Sequence, residues 1–286
     1  MSLADSFQVQ VLRAMGGHSR FVRTVVGRAH VIEVPGKGAL PPVLLLHGIT
    51  ASAADWYPLI RRIRGEVRGV VAVDMPGHGL SEVPTAGLTS EAMHRGLLHA
   101  LQQVGDEPLV VVGSSLGGLA AVRWANVCPE RVRALFLMSP AGGPWDEQGL
   151  RDLRRTFDLR DFADATAFID RAFCAGHPLR PLMAWGLRER TLRLHVRQLL
   201  ADLRPADLLH PWELRDLVMP VLVSWGQQEA LLPREHLEFW RRHLPAHARI
   251  EEPEGQGHVP FVTHADEVAR RLLSFLAELP PARLAA

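Results

Sequence analysis

A serine framed by glycines lies near the middle of the chain, directly after a short apolar run. Gly113, Ser115 and Gly117 form a G-x-S-x-G pattern behind the run Pro108–Val112. A β-branched run without charges is typical of a strand buried on both faces of a parallel sheet. A serine on a tight strand-to-helix turn has a strained backbone, and the residues two positions away lie too close to the neighbouring chain for a side chain. The pattern predicts Ser115 as a nucleophile at a helix N-terminus, where unpaired N–H groups stabilise negative charge.

A serine hydroxyl is a weak nucleophile unless a base removes its proton and an acid orients that base. His258 lies in a glycine-flanked loop, Gly255–Pro260, between the last predicted strand and the last predicted helix. Glu229 follows the predicted strand that ends at Trp225. Because the carboxyl ends of parallel strands lie at one edge of a sheet, we expect both side chains beside Ser115. The sequence therefore predicts a catalytic triad of serine, glutamate and histidine.

Attack of a serine on a carbonyl group also requires donors for the oxyanion that forms. The N–H of Leu116 follows the nucleophile at the start of the predicted helix. The N–H of Ile49 follows Gly48, in the loop after the earlier strand Val43–Leu46. These two backbone amides are the predicted oxyanion hole, and each donor stabilises a transition state by roughly 3 kcal/mol.

Strand and helix patterns alternate along most of the chain, which predicts βαβ crossovers and a mostly parallel sheet. Two runs before them, Phe7–Leu12 and Phe21–Val34, predict a leading antiparallel hairpin with turns at glycines. The predicted parallel strands are Val43–Leu46, Gly69–Asp74, Pro108–Val112, Val132–Met138, Val221–Trp225 and Ala248–Glu251. The predicted helices are Asp55–Arg64, Ser90–Val104, a helix that follows Ser115 and ends near Val127, Pro233–His243 and Asp266–Leu279.

The alternation stops between residues 144 and 217, where the patterns are helical and rich in arginine and leucine. This change predicts a helical lid at 144–217, inserted between two parts of one α/β core, 1–143 and 218–286. The arginines of the insertion are predicted to form a solvated surface. Six aromatic side chains either pack among the helices or line an apolar pocket: Trp145, Phe162, Phe168, Phe173, Trp185 and Trp212.

Composition excludes several classes of protein. The chain of 286 residues is 47% hydrophobic and 22% charged, which is ordinary for a globular protein, and its net charge of +1 predicts no attraction to nucleic acid. No apolar run approaches the ~20 residues that span a membrane. Cys128 and Cys174 are far apart and fit no metal-ligand spacing, so neither a disulfide framework, a metal site nor a cofactor is predicted. No secretory signal is visible, so a cytoplasmic location is expected. Nothing in the sequence specifies an oligomeric state.

Five motifs along the chain resemble those of the α/β-hydrolase superfamily and occur in the same order. The resemblance is to the lid-bearing branch, which includes esterases, lipases and C–C bond hydrolases. The motifs extend over almost the whole chain, and the order of serine, acid and histidine is that of the superfamily. The motifs are His47-Gly48, Asp74–Ser81, Gly113–Gly118, Trp225–Pro233 and Gly257–Pro260.

The resemblance implies an eight-stranded sheet flanked by helices, a lid after the sixth strand, a triad, and hydrolysis through an acyl-enzyme. The chain departs from most members at Glu229, where they usually carry aspartate. Asp146, after the sixth strand, is the alternative acid, and His264 is the alternative base. His47 and His78 are predicted to hold loops through hydrogen bonds to the backbone.

We therefore expect a serine hydrolase that cleaves carboxylic esters of small to medium apolar substrates without a cofactor. The expected partner is a small-molecule ester, with no nucleic acid and no stable membrane insertion. One alternative is a C–C bond hydrolase of the meta-cleavage type, although those relatives usually carry tryptophan where this chain has Val259. The other alternative is a non-catalytic ligand-binding member of the fold, which would retain a ligand without turnover.

Overall fold

Eight strands form one sheet across the middle of the protein. The computed structural model describes residues 10, 12–13, 16–105, 107–173 and 180–280. The strands within these residues are β1 (His18–Thr24), β2 (Gly27–Pro35), β3 (Val43–Leu46), β4 (Gly69–Val73), β5 (Leu109–Ser114), β6 (Val132–Met138), β7 (Val221–Ser224) and β8 (Arg249–Glu251). Their spatial order is β1, β2, β4, β3, β5, β6, β7, β8. From β4 to β8 this order is parallel, whereas β1 with β2 and β2 with β4 are antiparallel pairs, so the predicted mostly parallel sheet is confirmed.

Two apolar layers, one on each face of the sheet, bury the central strands. Along β3, Val43 and Leu45 pack into one layer, and Leu44 and Leu46 pack into the other. Successive side chains of a strand point to opposite faces, so a strand that is covered on both faces is apolar at every position. This is why uninterrupted apolar runs located these strands correctly.

The N-terminal hairpin differs from the prediction. Its two strands are β1 and β2, both drawn from the segment around the predicted strand Phe21–Val34. The other predicted strand, Phe7–Leu12, is wrong where it is described: Gln10 and Leu12 are helical and Leu12 is buried, while residues 7–9 and 11 lie outside the described residues. The carbonyl oxygen of Leu12 accepts a hydrogen bond from the N–H of Gly17 at 2.9 Å, which closes a local turn before β1. A run this short does not distinguish a strand from a helical turn.

Helices cover both faces of the sheet. They are α1 (Tyr57–Ile63), α2 (Ser90–Leu101), α3 (Leu116–Val127), α4 (Glu147–Thr156), α5 (Phe162–Phe173), α6 (Arg180–Thr191), α7 (Leu194–Asp202), α8 (Pro211–Arg215), α9 (Arg234–His243), α10 (Pro260–Thr263) and α11 (Ala265–Ala277). Helices α2, α3 and α9 pack on one face, and α1 and α11 pack on the other. The helices predicted for the α/β part are all present, with small shifts at their ends.

Five helices, α4 to α8, lie between β6 and β7, and the residues described there contain no strand. We call α4 to α8 the inserted helices. Their position agrees with the helical segment predicted at 144–217, while the division into a lid and two core parts stays a prediction. Cys128 is partly buried, and Cys174 lies outside the described residues. In the described part of the chain, no helix is both long and apolar enough to cross a membrane.

Replacing Gly117 with alanine is expected to destabilise the fold strongly. A Cβ at this position would lie 2.0 Å from the carbonyl oxygen of Leu46, which is backbone and cannot rotate away. We expect Gly117→Ala to lower the free energy of unfolding by about 3 kcal/mol or more, measured by urea denaturation. Gly65→Ala is the matched control, because an added Cβ there meets nothing within 4 Å, and it should change stability by less than about 0.5 kcal/mol. Equal stability of the two variants would contradict the steric argument.

Candidate active site

Ser115 lies on the sharp turn between β5 and α3. Its φ of 52° and ψ of −119° are unusual for a residue with a side chain, and it is 9% exposed. A Cβ on Gly113 would lie 2.6 Å from the carbonyl oxygen of Gly117, and a Cβ on Gly117 would collide with β3. Both glycines of the motif are therefore required by close backbone contacts. The turn places the serine at the N-cap of α3, where the helix dipole favours negative charge.

The loop after β3 packs directly against this turn. A Cβ on Gly48 would lie 3.2 Å from Cβ of Ser115 and 3.8 Å from its Oγ, so this glycine lies directly beside the serine side chain. Ile49 follows Gly48 in this loop, and Leu116 follows Ser115 as the first residue of α3. Among the described residues, neither N–H has a hydrogen-bond acceptor, which leaves both amides available as donors.

The predicted base and acid are in direct contact. Nδ1 of His258 lies 2.7 Å from Oε2 of Glu229. The other carboxylate oxygen of Glu229 accepts hydrogen bonds from the N–H groups of Leu231 at 2.7 Å and Leu232 at 3.0 Å. An ionised carboxylate only accepts hydrogen bonds, so Nδ1 of the imidazole carries a proton, and in the neutral ring the lone pair is then on Nε2. This is the tautomer that a general base needs.

Backbone contact between two loops brings this pair together. The loop after β7 carries the acid, and the loop after β8 carries the histidine. The N–H of Gln228 donates to the carbonyl oxygen of Gln256 at 2.9 Å, and a Cβ on Gly226 would lie 2.1 Å from the same oxygen. Glycine at position 226 therefore allows the approach that joins Glu229 to His258.

The carboxyl group of Glu229 stays ionised despite being only 2% exposed. Burial by itself raises the pKa of this group. The imidazole of His258 beside it and the N–H of Leu232 outweigh burial and lower the pKa to about 2. The negative charge is therefore present throughout the neutral pH range, where it can orient the imidazole and stabilise its protonated form.

The two rival residues have other contacts. Nδ1 of His264 lies 2.9 Å from Oγ1 of Thr263, at the N-cap of α11. Asp146 is the N-cap of α4, where its carboxylate accepts a hydrogen bond from the N–H of Gly149 at 2.8 Å. The structure brings Glu229, rather than Asp146, to His258.

His47 and His78 hold loops behind the site, as predicted. Nδ1 of His47 lies 2.8 Å from the carbonyl oxygen of Gly48, and its Nε2 accepts a hydrogen bond from the N–H of Met75 at 3.0 Å. Burial lowers the pKa of both histidines, to about 3 for His78. Both rings are therefore neutral at pH 7. Nδ1 of His78 lies 3.1 Å from the carbonyl oxygen of Pro76.

The buried Asp74 ties the same region together, with a partner that the sequence did not reveal. Its carboxylate accepts hydrogen bonds from the N–H groups of Ala53 at 2.6 Å and Leu80 at 3.0 Å. It also lies 2.7 Å from Nδ1 of His30, a fully buried residue of β2. These contacts are structural, because they join β2, β4 and the loop that leads to α1.

A cavity of about 450 Å³ opens in front of Ser115 and His258, between the core and the inserted helices. Its wall is largely apolar. Two of the six aromatic residues considered above, Phe168 and Phe173, line it, together with Phe157. Phe162, Trp185 and Trp212 are about half exposed and Trp145 packs on His236; none of these four lines the cavity.

One charged pair in this wall was missed by sequence analysis. Arg190 of α6 and Asp55, which precedes α1, are joined by Nη1 to Oδ2 at 2.8 Å and Nη2 to Oδ1 at 3.3 Å. Their side chains are only 17% and 19% exposed, so the prediction that the arginines of the insertion form a solvated surface is wrong for Arg190. No local pattern marks the pair, because its members are 135 positions apart along the chain.

The eight-stranded sheet, the serine turn after its fifth strand and the acid and histidine loops after its last two strands define a class of protein. A family model described as "alpha/beta hydrolase fold" matches residues 41–265 of the chain. The chain belongs to the α/β-hydrolase family, and the resemblance predicted from the five motifs is confirmed.

Similar proteins include several named as esterases. A pimeloyl-[acyl-carrier protein] methyl ester esterase of Xanthomonas campestris pv. campestris is 31% identical over 264 residues, which cover 87% of this chain and 99% of the relative. The carboxylesterase YbfK of Bacillus subtilis is 27% identical over 90% of this chain and 86% of the relative. Among solved structures, a bacterial membrane phospholipase A superposes with a TM-score of 0.81 and 27% identity, over 98% of this chain and 92% of that chain.

The depressed pKa of Glu229 predicts a pH-dependent contribution to stability. The pKa falls from its ordinary value of 4.5 to about 2 on folding, so this stabilisation is present above pH 4.5 and is lost as the pH falls towards 2. A shift of this size corresponds to about 3 kcal/mol. Urea denaturation of the wild type and Glu229→Gln should show their largest difference in unfolding free energy at pH 7 and a much smaller one at pH 3.

Glu130→Gln is the control for this titration. Glu130 is an exposed residue before β6, at the opposite edge of the sheet. Its substitution should leave the unfolding free energy close to that of the wild type at both pH values. A difference between the wild type and Glu229→Gln that does not change with pH would contradict the assigned ionisation.

Proposed function

We propose that this α/β-hydrolase is a serine hydrolase that cleaves carboxylic esters of small to medium apolar substrates through an acyl-enzyme. The observation that carries the proposal is the contact between Nδ1 of His258 and the buried carboxylate of Glu229, in a cavity wall that also contains Ser115. Relatives named as esterases, over most of the chain, support ester hydrolysis as the reaction.

In the proposed first half-reaction, Oγ of Ser115 attacks the carbonyl carbon of the ester while Nε2 of His258 takes the hydroxyl proton. The carbonyl oxygen becomes an oxyanion, which accepts hydrogen bonds from the N–H groups of Ile49 and Leu116. Glu229 stabilises the imidazolium that forms. When the intermediate collapses, the bond to the alkoxy oxygen breaks, and His258 returns the proton to the departing alcohol.

In the proposed second half-reaction, a water molecule gives a proton to Nε2 of His258 and attacks the acyl carbon. The oxyanion forms again in the same place. Its collapse breaks the bond to Oγ of Ser115, which recovers the proton from His258, and the carboxylic acid is released. In both proposed half-reactions His258 takes up and returns each proton, and the two backbone N–H groups donate to the oxyanion.

The cavity favours uncharged acyl groups. Its described wall contains a pair of oppositely charged side chains, Asp55 and Arg190, which neutralise each other. An anionic acyl terminus would have to displace Asp55 from Arg190 in a largely desolvated place. The volume of about 450 Å³ lies within the range of small-molecule pockets. We propose that the inserted helices act as the lid of this cavity.

The triad proposal is tested with p-nitrophenyl esters from acetate to decanoate. We expect Ser115→Ala and His258→Ala each to lower kcat/KM by ~10⁴-fold or more, because removal of either member disables the whole triad. Glu229→Gln should lower kcat/KM by about 10²- to 10⁴-fold, because the imidazole loses its orienting charge.

Two matched controls address the rival residues. His264→Ala and Asp146→Asn should keep activity close to that of the wild type, because neither residue contacts the proposed triad. A wild type that is inert on every ester would overturn the esterase assignment and direct attention to C–C bond substrates or ligand binding. Retained activity in Ser115→Ala would overturn the assignment of the nucleophile.

Substitution of Gly186 should change the preferred acyl length. This glycine of α6 lines the cavity, and an added Cβ meets no heavy atom within 4 Å. Because the Cβ has open space, Gly186→Phe is expected to reduce the cavity volume, and the ratio of kcat/KM for decanoate to that for acetate should fall by about 10-fold or more. Gly186→Ala adds one methyl group and should keep the preference while stabilising α6 by about 1 kcal/mol. An unchanged preference in Gly186→Phe would place the acyl group elsewhere.

A further inference from the structure

The loop that carries Ile49 is a β-turn with an uncommon residue at its third position. The N–H of Ala51 donates to the carbonyl oxygen of Gly48 at 3.2 Å, which closes the turn over Ile49 and Thr50. Thr50 has a φ of 63°, a region that glycine or asparagine usually occupies at this position and that a β-branched side chain disfavours. Such a conformation persists only where surrounding contacts hold it.

Contacts hold this turn from two directions. From the core, His47 lies within hydrogen-bond distance of the carbonyl oxygen of Gly48. From the inserted helices, Nη1 of Arg190 lies 3.3 Å from the carbonyl oxygen of Thr50 while the same guanidinium pairs with Asp55. The carboxylate of Asp55 also accepts a hydrogen bond from the N–H of Ser52 at 2.8 Å. Arg190 therefore connects α6 both to Thr50, in the turn, and to Asp55, a few residues further along the chain.

We propose that Arg190 is a positioning residue, which holds the turn at Thr50 so that the N–H of Ile49 points at the oxyanion. The inference rests on the proposed function, because the oxyanion forms only if Ser115 attacks a carbonyl group. Asp55 fixes the guanidinium in place through a two-point contact, which a lysine ammonium cannot reproduce. The inserted helices thus contribute to the chemical step as well as to the wall of the cavity.

The other proposed catalytic loops also contact the inserted helices. The N–H of Val259, next to the histidine, donates to the carbonyl oxygen of Ala172 at 3.2 Å. Nη2 of Arg171 donates to the carbonyl oxygen of Ala230, next to the acid, at 2.8 Å. Among these contacts, only that of Arg190 joins an ion pair to a loop with a strained residue. It is therefore the contact whose loss should affect the oxyanion most.

The test is Arg190→Met, which keeps an unbranched stem and removes the guanidinium. We expect kcat for p-nitrophenyl butyrate to fall by about 10- to 100-fold with little change in KM, because the misplaced donor acts on the transition state. The rate is expressed per active site, counted by stoichiometric labelling with a fluorophosphonate, so that a misfolded fraction does not enter it. Inhibition by phenylboronic acid, whose adduct is tetrahedral, should weaken in parallel.

Three further variants make the result specific. Arg190→Lys should retain only part of the wild-type kcat. Guanidinium ion added to Arg190→Ala should restore a larger part of the wild-type kcat than the lysine does. The double variant Asp55→Asn, Arg190→Met should lose no more kcat than Arg190→Met alone, since the two side chains act as one unit. Arg188→Met is the matched control in α6, because Arg188 donates to the carbonyl oxygen of Arg160, between α4 and α5, and it should keep the wild-type kcat.

Outcomes for this inference and for the proposed function are separable. An inert wild type would contradict the proposed function itself. An active wild type with an unchanged kcat per active site and unchanged boronate inhibition in Arg190→Met would overturn the positioning role alone. An increase in KM with unchanged kcat would also overturn it, because it would assign Arg190 to substrate binding instead.

Discussion

Gly117 has no room for a side chain against the carbonyl oxygen of Leu46, and the arrangement of the site depends on this contact. A Cβ at Gly117 would lie 2.0 Å from that oxygen, so the turn after β5 can rest against β3 only when this residue has no side chain. The contact brings the loop of Gly48 and Ile49 beside Ser115. A similar approach at Gly226 brings the acid loop to the histidine loop. Glycines at a few positions thus allow the loops at one end of the parallel sheet to approach closely enough to form the site.

Electrostatics then determine what the site can do. Glu229 is buried and ionised because it accepts three hydrogen bonds, two from backbone N–H groups and one from His258. A charge held in this way favours the tautomer of the imidazole in which Nδ1 carries the proton. Asp55 and Arg190 neutralise each other in the cavity wall, so this pair adds little net charge to the cavity. The same pair connects the inserted helices to the turn of the proposed oxyanion hole.

Much of the fold was predictable because its signals are local. Apolar runs such as Val43–Leu46 located the buried strands, since both of their faces are covered, and alternation with helical patterns predicted their parallel pairing. The prediction failed at Leu12, where a short apolar run forms a helical turn instead of a strand. The candidate triad was also predictable, because Ser115, Glu229 and His258 each follow a strand and the carboxyl ends of parallel strands share one edge of the sheet.

The sequence by itself determined the strands of the sheet, the serine on the tight turn after β5 and the glycines around it. These features depend on residues within a few positions of one another. Tertiary structure decided which side chains meet across long distances. His30 reaches Asp74, and Arg190 reaches Asp55 and Thr50, through pairings that no local pattern encodes. Arginine is frequent throughout the inserted helices, so composition cannot distinguish Arg190, which lies in the cavity wall, from exposed arginines such as Arg151 and Arg197. Only packing of α6 against the core makes that choice, because it removes Arg190 from water and supplies a carboxylate to pair with it.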